Sequence, residues 1–403
     1  MSPGLAGVAR AERPLSTTVT VLVMTPGAHP FERFGHAAVR VDEPGHRGDD
    51  ARVYNYGSFD GSDPHLVRRF LSHTMPFWLA ETDWRSTEEQ YRRRQIRALE
   101  LDLDEDEARA LADRLARNAL PQNRNYVYEF FRDNCSTRVR DMVATAVPTL
   151  TALQQRPAQR SLRAQVVEQT RPAPLFGRAI DLALNGLVDG PTSRWDDAFL
   201  PRELAAVLLE SHRPLNEGGR PLVRRETTWT GPDFVDLTQP RTALLDALWL
   251  LLLLPLGLGA LGGGRLRGAR VLAGAGLALW GLVTGLVGVA LVILSLTPHD
   301  VARMNGNVVA LWPATLVLVP YGVRLARGRV ALVGVQRVRA LLVALAAPIV
   351  IDLLGHAIGR AHQQHVTLLL FVLAGHALAY LALRCSNDGA DEALPIPVDA
   401  TLH

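Results

Sequence analysis

The chain has 403 residues, with 43 basic and 40 acidic side chains and a formal charge of +3. The basic residues are all arginine and lie scattered among acids, and no low-complexity tract or internal repeat is visible, so a nucleic-acid partner and a repeat architecture are set aside. Apolar content is uneven, so the two halves are read apart: a soluble extracytoplasmic domain over residues 19–235, then a transmembrane helical domain over 236–390.

Residues 1–18 hold no apolar core long enough for an export signal. Val8-Ala9-Arg10-Ala11 before Glu12 has the small-x-small pattern of a signal-peptidase site, as if a longer signal peptide ran ahead of Met1. The alternative is an Ala-rich disordered terminus. Arg33-Phe34-Gly35-His36-Ala37-Ala38-Val39-Arg40-Val41 is a Gly turn entering an alternating strand. A Gly-Asp-rich turn and Val53-Tyr54-Asn55-Tyr56-Gly57 follow, so the two segments predict a β-hairpin. Among the histidines of this domain (His29, His36, His46, His65, His73 and His212), His36 has the best context for a general base. Asn55, Tyr56 or Ser58 would face it and fix its tautomer, with Asn55 favoured; a one-residue slip in register exchanges them.

Further on, Tyr91-Arg92-Arg93-Arg94-Gln95-Ile96-Arg97 would suit phospholipid head groups, although such a run is more often a solvated face. Residues 102–118 predict an amphipathic scaffold helix. Asp133-Asn134 are favoured helix caps, and Val139, Met142, Val143 and Ala146 then recur at helical spacing until Pro148, which puts Cys135 in the first helical turn. There the helix dipole and free backbone N–H groups favour a thiolate over a thiol and can hold an oxyanion. Residues 150–235 are Pro-rich with short helices, chiefly Pro201 to Ser211, and carry no nucleophile.

Five apolar stretches follow, at Leu244–Leu261, Val271–Leu296, Met304–Val323, Ala340–Leu354 and Val366–Leu383. The second runs 26 residues without a charge, ample for about 30 Å of hydrocarbon. Pro313, Pro320 and Pro348 interrupt the third and fourth. Arg265, Arg267 and Arg270 lie in one connection, and Arg324, Arg327, Arg329, Arg337 and Arg339 in another. The positive-inside rule therefore puts both connections and the tail, 391–403, in the cytoplasm, and the N-terminal domain on the opposite side of the cell's inner membrane. Cys135 and Cys385 then lie on opposite sides and cannot pair; a lone extracytoplasmic thiol points to a reactive role. Asp352, His356, His362 and His365 cluster near a loop, where water-exposed histidines are the commoner explanation than a metal, so no metal is expected. His376 and Asp246 are polar groups suited to the bundle interior.

Phe34-Gly35-His36, Tyr54-Asn55-Tyr56-Gly57-Ser58-Phe59, Asn123-Arg124-Asn125-Tyr126-Val127-Tyr128 and Asp133-Asn134-Cys135-Ser136-Thr137-Arg138 together resemble a known bacterial family. It is the periplasmic domain, formerly of unknown function, at the N-terminus of the Bacteroidota-type lipoprotein N-acyltransferase. The likeness covers most of residues 20–235. It extends less specifically to a membrane part where His and Asn follow a transmembrane helix, as His299, Asn305 and Asn307 do.

The resemblance implies a thiol acyltransferase, without cofactor, that moves a fatty acyl chain from membrane phospholipid to the N-terminal amine of a lipoprotein. His36 and Cys135 carry over as its catalytic pair, with Asn55 as the third residue. Tyr56, Asn134, Arg138, His299 and Asn305 stand as substrate-binding candidates. The fold it implies is α+β: a permuted papain-like domain, His before Cys, followed by an all-α transmembrane bundle of about five helices. Two other readings use the same residues. One is a cysteine peptidase or amidase acting on peptide or cell-wall bonds; the other is a non-enzymatic membrane sensor or scaffold with Cys135 inert.

Overall fold

Alternating apolar residues build the N-terminal sheet, because successive side chains of a strand point to opposite faces. In the computed structural model, which describes residues 16–213, 219–239, 248–262, 267–330, 332–361 and 363–385, seven strands form one antiparallel sheet. They are β1 (Thr18–Met24), β2 (His36–Asp42), β3 (Arg52–Ser58), β4 (Phe77–Asp83), β5 (Gln95–Leu101), β6 (Asn125–Tyr126) and β7 (Val223–Thr230), in the spatial order β6-β4-β3-β2-β1-β5-β7. The expected hairpin is β2–β3, with Val39 opposite Tyr54 and Val41 opposite Arg52.

Each sheet face buries its own set of side chains. Val19, Val21, Val23, Val39, Val41, Tyr54, Tyr56 and Leu99 pack against helices α2 (Glu105–Ala119), α3 (Cys135–Ala146) and α6 (Pro201–Glu210). Leu22, Met24, Ala38, Val53 and Ile96 form the opposite face with Tyr91 and with Trp84 of α1 (Trp84–Gln90). Helix α2 starts where Asp104 and Glu107 form a reciprocal capping box, at 2.8 and 2.9 Å. It buries Ala108, Leu111, Ala112 and Leu115, the i, i+3, i+4, i+7 stripe that its amphipathic sequence predicts.

The chain divides into two compact units. The sheet unit takes residues up to 70, 74–159 and 192–239; residues 71–73, 160–191 and 240 onward form the helical unit. Residues 160–191, with helices α4 (Leu162–Thr170) and α5 (Pro174–Ala183), therefore pack with the C-terminal helices, although the hydrophobic pattern places them in a 19–235 domain. Buried Arg163 organises the segment. It pairs with Asp189 (2.7 Å) and Asp181 (2.8 Å) and donates to the carbonyls of Leu184 and Asn185.

Among the described residues, four helical segments are long and apolar enough to cross a membrane: Gly268–Ser295, Asn307–Ala326, Val333–Ala357 and Val366–Leu383. They correspond to α8 (Arg267–Ser295), the broken run ending in α9 (Leu318–Ala326), α10 (Leu332–Ala357) and α11 (Val366–Cys385). The first expected stretch is a shorter apolar helix, Leu250–Leu261, in which a 3-10 turn gives way to α7 (Leu254–Leu261) at Pro255. A proline lacks the N–H that would continue the helix backwards. Pro313 likewise breaks the second span into a 3-10 turn before α9. His376 is buried in the bundle and accepts from Trp280 Nε1 at 3.3 Å. Residues 1–15 with the Val8–Ala11 site, Asp246, Arg265, His362, the Cys385 side chain and the tail lie outside what the structure describes.

Candidate functional site around Cys135

Asn134 fixes where α3 begins. Its Oδ1 accepts from the backbone N–H of Ser136 (2.8 Å) and Thr137 (2.9 Å), while its Nδ2 donates to the carbonyls of Phe130 (2.6 Å) and Phe199 (2.9 Å). The side chain proposed as a substrate contact is thus fully engaged in holding the helix start. Asn134→Ala removes the cap and leaves two carbonyls short of a donor. It is expected to destabilise the domain by about 2–3 kcal/mol, read as a lower melting temperature of the purified protein.

Cys135, the first residue of α3, is 9 % exposed. The backbone N–H groups of Ala37, Ser136 and Cys135 itself donate toward Sγ and favour a thiolate. Burial outweighs them and pushes the thiol pKa up, opposite to the lowering expected from the helix start. The reason is that removing a thiolate from water costs more than three amide dipoles return. Cys135 therefore rests as a neutral thiol.

His36 opens β2 directly after Gly35, whose φ of +85° and lack of a side chain both matter: an added Cβ would lie 2.8 Å from the Met24 carbonyl oxygen. The imidazole is half-buried, and desolvation, with the positive charge of Arg94, lowers its pKa to about 4. Asn55 works in the other direction. Its Nδ2 donates to Thr82 Oγ1 (3.2 Å), which leaves its oxygen for His36, without a close hydrogen bond formed. His36 and Asn55 share a sheet face, since Arg40 lies opposite Val53 in the β2–β3 register. Tyr56 takes the other face, fully buried, where its hydroxyl donates to Asn118 Oδ1 at 2.6 Å.

Three residues neighbour both His36 and Cys135. Ala37, the next residue after His36, donates toward Sγ. The Tyr91 ring stacks on the imidazole at 5.9 Å, and a thiolate at Cys135 would disfavour ionisation of its phenol. Arg94, 6 % exposed, acts electrostatically on both. Arg94 donates through Nε to the Thr25 carbonyl (2.6 Å) and lies over Tyr91, but its Nη2 has no acceptor among the described residues. Tyr126 Oη is also buried, without a partner among the described residues. A Cβ on Gly57 would lie 3.7 Å from both Cys135 Cβ and Tyr126 Oη, so Gly57 (φ +87°) lets backbone pass close to the thiol. Arg94 and Tyr126 lie in segments the sequence singles out, the Tyr91–Arg97 run and the Asn123–Tyr128 motif, but neither is named there as a site residue. For Arg94 the available signal was its i+3 spacing from Tyr91 just ahead of a strand.

Arg138 forms a two-point pair with Asp133 (2.5 and 2.8 Å) and covers the Tyr126 ring at 3.9 Å. It buttresses the tyrosine rather than standing free. His299 and Asn305 belong to the helical unit. The His299 ring lies tilted against that of His73 at 4.8 Å, and Asn305 donates to the Leu182 carbonyl and accepts from Gln363 and from the Asn307 amide.

Residues 9–168 match the family model of the Lnb N-terminal periplasmic domain. This part of the chain is similar to that family. Comparison with curated proteins and with solved structures gives no match. The match spans β1 through α3, and so includes His36, Asn55, Arg94 and Cys135. It places the Lnb-type domain in the periplasm of a membrane-spanning protein.

Proposed function

We propose that the Lnb-type domain is a cysteine acyltransferase that takes a fatty acyl chain from a phospholipid and passes it to the N-terminal amine of a lipoprotein. The observation that carries this reading is the setting of Cys135: a buried thiol at a helix start, sharing the neighbours Tyr91 and Arg94 with His36. His36 takes the thiol proton as Sγ attacks the ester carbonyl. The tetrahedral oxyanion is met by the backbone N–H of Cys135, since those of Ser136 and Thr137 are held by Asn134, together with the side-chain donors Arg94 Nη2 and Tyr126 Oη. The C–O bond breaks, and the proton on His36 goes to the departing lysophospholipid oxygen. An amine then attacks the thioester, losing a proton to His36, and Cys135 leaves as thiolate to recover that proton. A histidine strand ahead of a cysteine helix start supports the permuted papain-like arrangement.

A run of ring contacts supports a lipid over a peptide. From Phe31, 48 % exposed, rings meet in sequence through Phe59 (5.4 Å), Phe77 (5.6 Å) and Tyr128 (4.6 Å). The Tyr128 ring lies 3.9 Å from a Cβ placed on Gly57, beside Cys135. A row of aromatic side chains between the surface and the nucleophile offers an apolar face that suits an acyl chain, whereas a peptidase cleft needs backbone-pairing edges. The test is mass analysis of lipoprotein N-termini from cells with and without the protein. The reading expects the N-acylated species to disappear in its absence; an unchanged acylation pattern would sink it.

Chain connectivity supports a cytoplasmic C-terminus and an inner-membrane location. Residues 160–191 join two parts of the periplasmic domain with no spanning helix in the described residues between them. They bond to the connections that follow α8 and α10: Asn185 Nδ2 donates to the Asp300 and Arg303 carbonyls at 2.6 Å, and Asp189 accepts from the Gln364 amide at 3.0 Å. Those connections are then periplasmic, and α8 must begin in the cytoplasm. The chain accordingly crosses once more before α8, which the Leu244–Leu261 stretch would supply, for five crossings in all. Reporter fusions after Gly231 and within 355–365 are expected to be periplasmic, and those at Arg327 and after Cys385 cytoplasmic. A periplasmic signal at Arg327 would contradict this topology.

A further inference from the structure

A cluster in the helical unit has no part in this chemistry. Asp352 and His356 stand one helical turn apart near the end of α10, and His365 directly precedes α11. One ligating atom from each lies within 4.8 Å of the others. Asp352 Oδ2 is 3.0 Å from His365 Nε2, Asp352 Oδ1 is 3.9 Å from His356 Nε2, and the two imidazole rings are 5.3 Å apart.

The surrounding hydrogen bonds fix the histidine tautomer. Asn307 Nδ2 donates to the Leu182 carbonyl (2.9 Å), so the atom that Asn307 turns to His365 Nδ1, also at 2.9 Å, is its oxygen. An oxygen only accepts, so Nδ1 carries the proton. His365 Nε2 therefore faces a carboxylate oxygen either as a bare lone pair, which repels it, or with a cation between or on the two. A proton on Nε2 would answer for that contact but not for His356, whose Nε2 is buried without a hydrogen-bond partner among the described residues. A metal ion answers for both. The Asn307 amide on Nδ1 is the outer support that a metal-bound imidazole characteristically has. It is itself held by the network of Asn305, Gln363 and the Leu182 carbonyl.

We propose that Asp352, His356 and His365 bind a Zn2+ ion that clasps the end of α10 to the start of α11. Two imidazoles and one carboxylate are a ligand set suited to zinc, and they leave a fourth position for water. His365 and Asn307 also line a cavity of about 500 Å3, which is roomy enough to supply that water.

The test uses the full-length protein, purified in detergent without a histidine tag, stripped with chelator and titrated with ZnCl2. Elemental analysis is expected to find about one zinc per chain, with a melting temperature that rises on zinc addition. The decisive variant is His356→Gln, because His356 Nε2 makes no bond that the substitution would break. Its melting temperature without zinc should match the wild type, and its zinc affinity should fall by roughly 100-fold or more, since even outer supports of a metal ligand are worth 10–100-fold. Asp352→Asn should lose zinc likewise. Wild-type protein that takes up no zinc would leave only a His365–Asp352 ion pair and overturn the proposal. So would equal zinc binding by wild type and His356→Gln.

Discussion

Cys135→Ser is expected to keep the fold and to lower acyl transfer by on the order of 10³-fold or more. The side chain is buried at the first position of α3, and a hydroxyl there keeps the size and the backbone N–H contacts of the thiol. The nucleophile is what changes. The thiol of Cys135 already lies above its ordinary pKa because of burial, and a serine hydroxyl in the same desolvated position would resist deprotonation far more. A purified variant with an unchanged melting temperature and residual transfer near background is the expected outcome. Full transfer by Cys135→Ser would return Cys135 to a packing role.

His36→Ala should fail comparably, and the double variant Cys135→Ser/His36→Ala little worse than either single one, because residues acting as one unit are not additive. Asn55→Ala should cost less, as its side chain only favours one state of the imidazole. The burial of His36 also sets a pH signature. With a folded pKa of about 4 against 6.5 for an exposed histidine, the base stays unprotonated well below neutrality, so the acid limb of kcat/KM should fall near pH 4. Stability follows the opposite partner of the same equilibrium. Above the unfolded pKa, neither state binds a proton at this site and nothing changes. As pH falls from there to the folded pKa, the unfolded chain takes up a proton that the folded one refuses, at a cost approaching about 3 kcal/mol. His36→Ala should flatten that part of the stability profile, a readout that comparison of activities alone would not give.

The local elements that frame the site were readable because each rests on short-range rules. The Asp104 and Asn134 caps, the β2–β3 alternation and the stripe of α2 are matters of spacing and of one side chain meeting a nearby N–H. Which groups surround Cys135 was not readable to the same degree. Arg94 sits in a run of arginines that composition assigns to a solvated face, yet β5 pairing draws it inward against Tyr91 while Arg92 stays outside with Asp233. Tyr56 and Asn55 are adjacent in sequence but point to opposite faces, so only the register decides that Asn55 shares the face of His36. The thiol pKa went the other way for a similar reason. The helix start is a local fact, whereas the desolvation that outweighs it is set by strands and rings distant in sequence. In the membrane part, hydropathy located the spans, but the partnership of residues 160–191 with the helical unit depends on Arg163, Asn185 and Asp189 finding partners. No periodicity marks such partnerships.

The most direct test of the thioester is intact-mass spectrometry of the full-length protein incubated with phospholipid and no amine acceptor. The account predicts an added acyl mass that maps to Cys135, that hydroxylamine removes, and that is missing from Cys135→Ser and strongly reduced in His36→Ala. Wild-type protein that never acquires the adduct, while still acylating a lipoprotein acceptor when one is supplied, would contradict it.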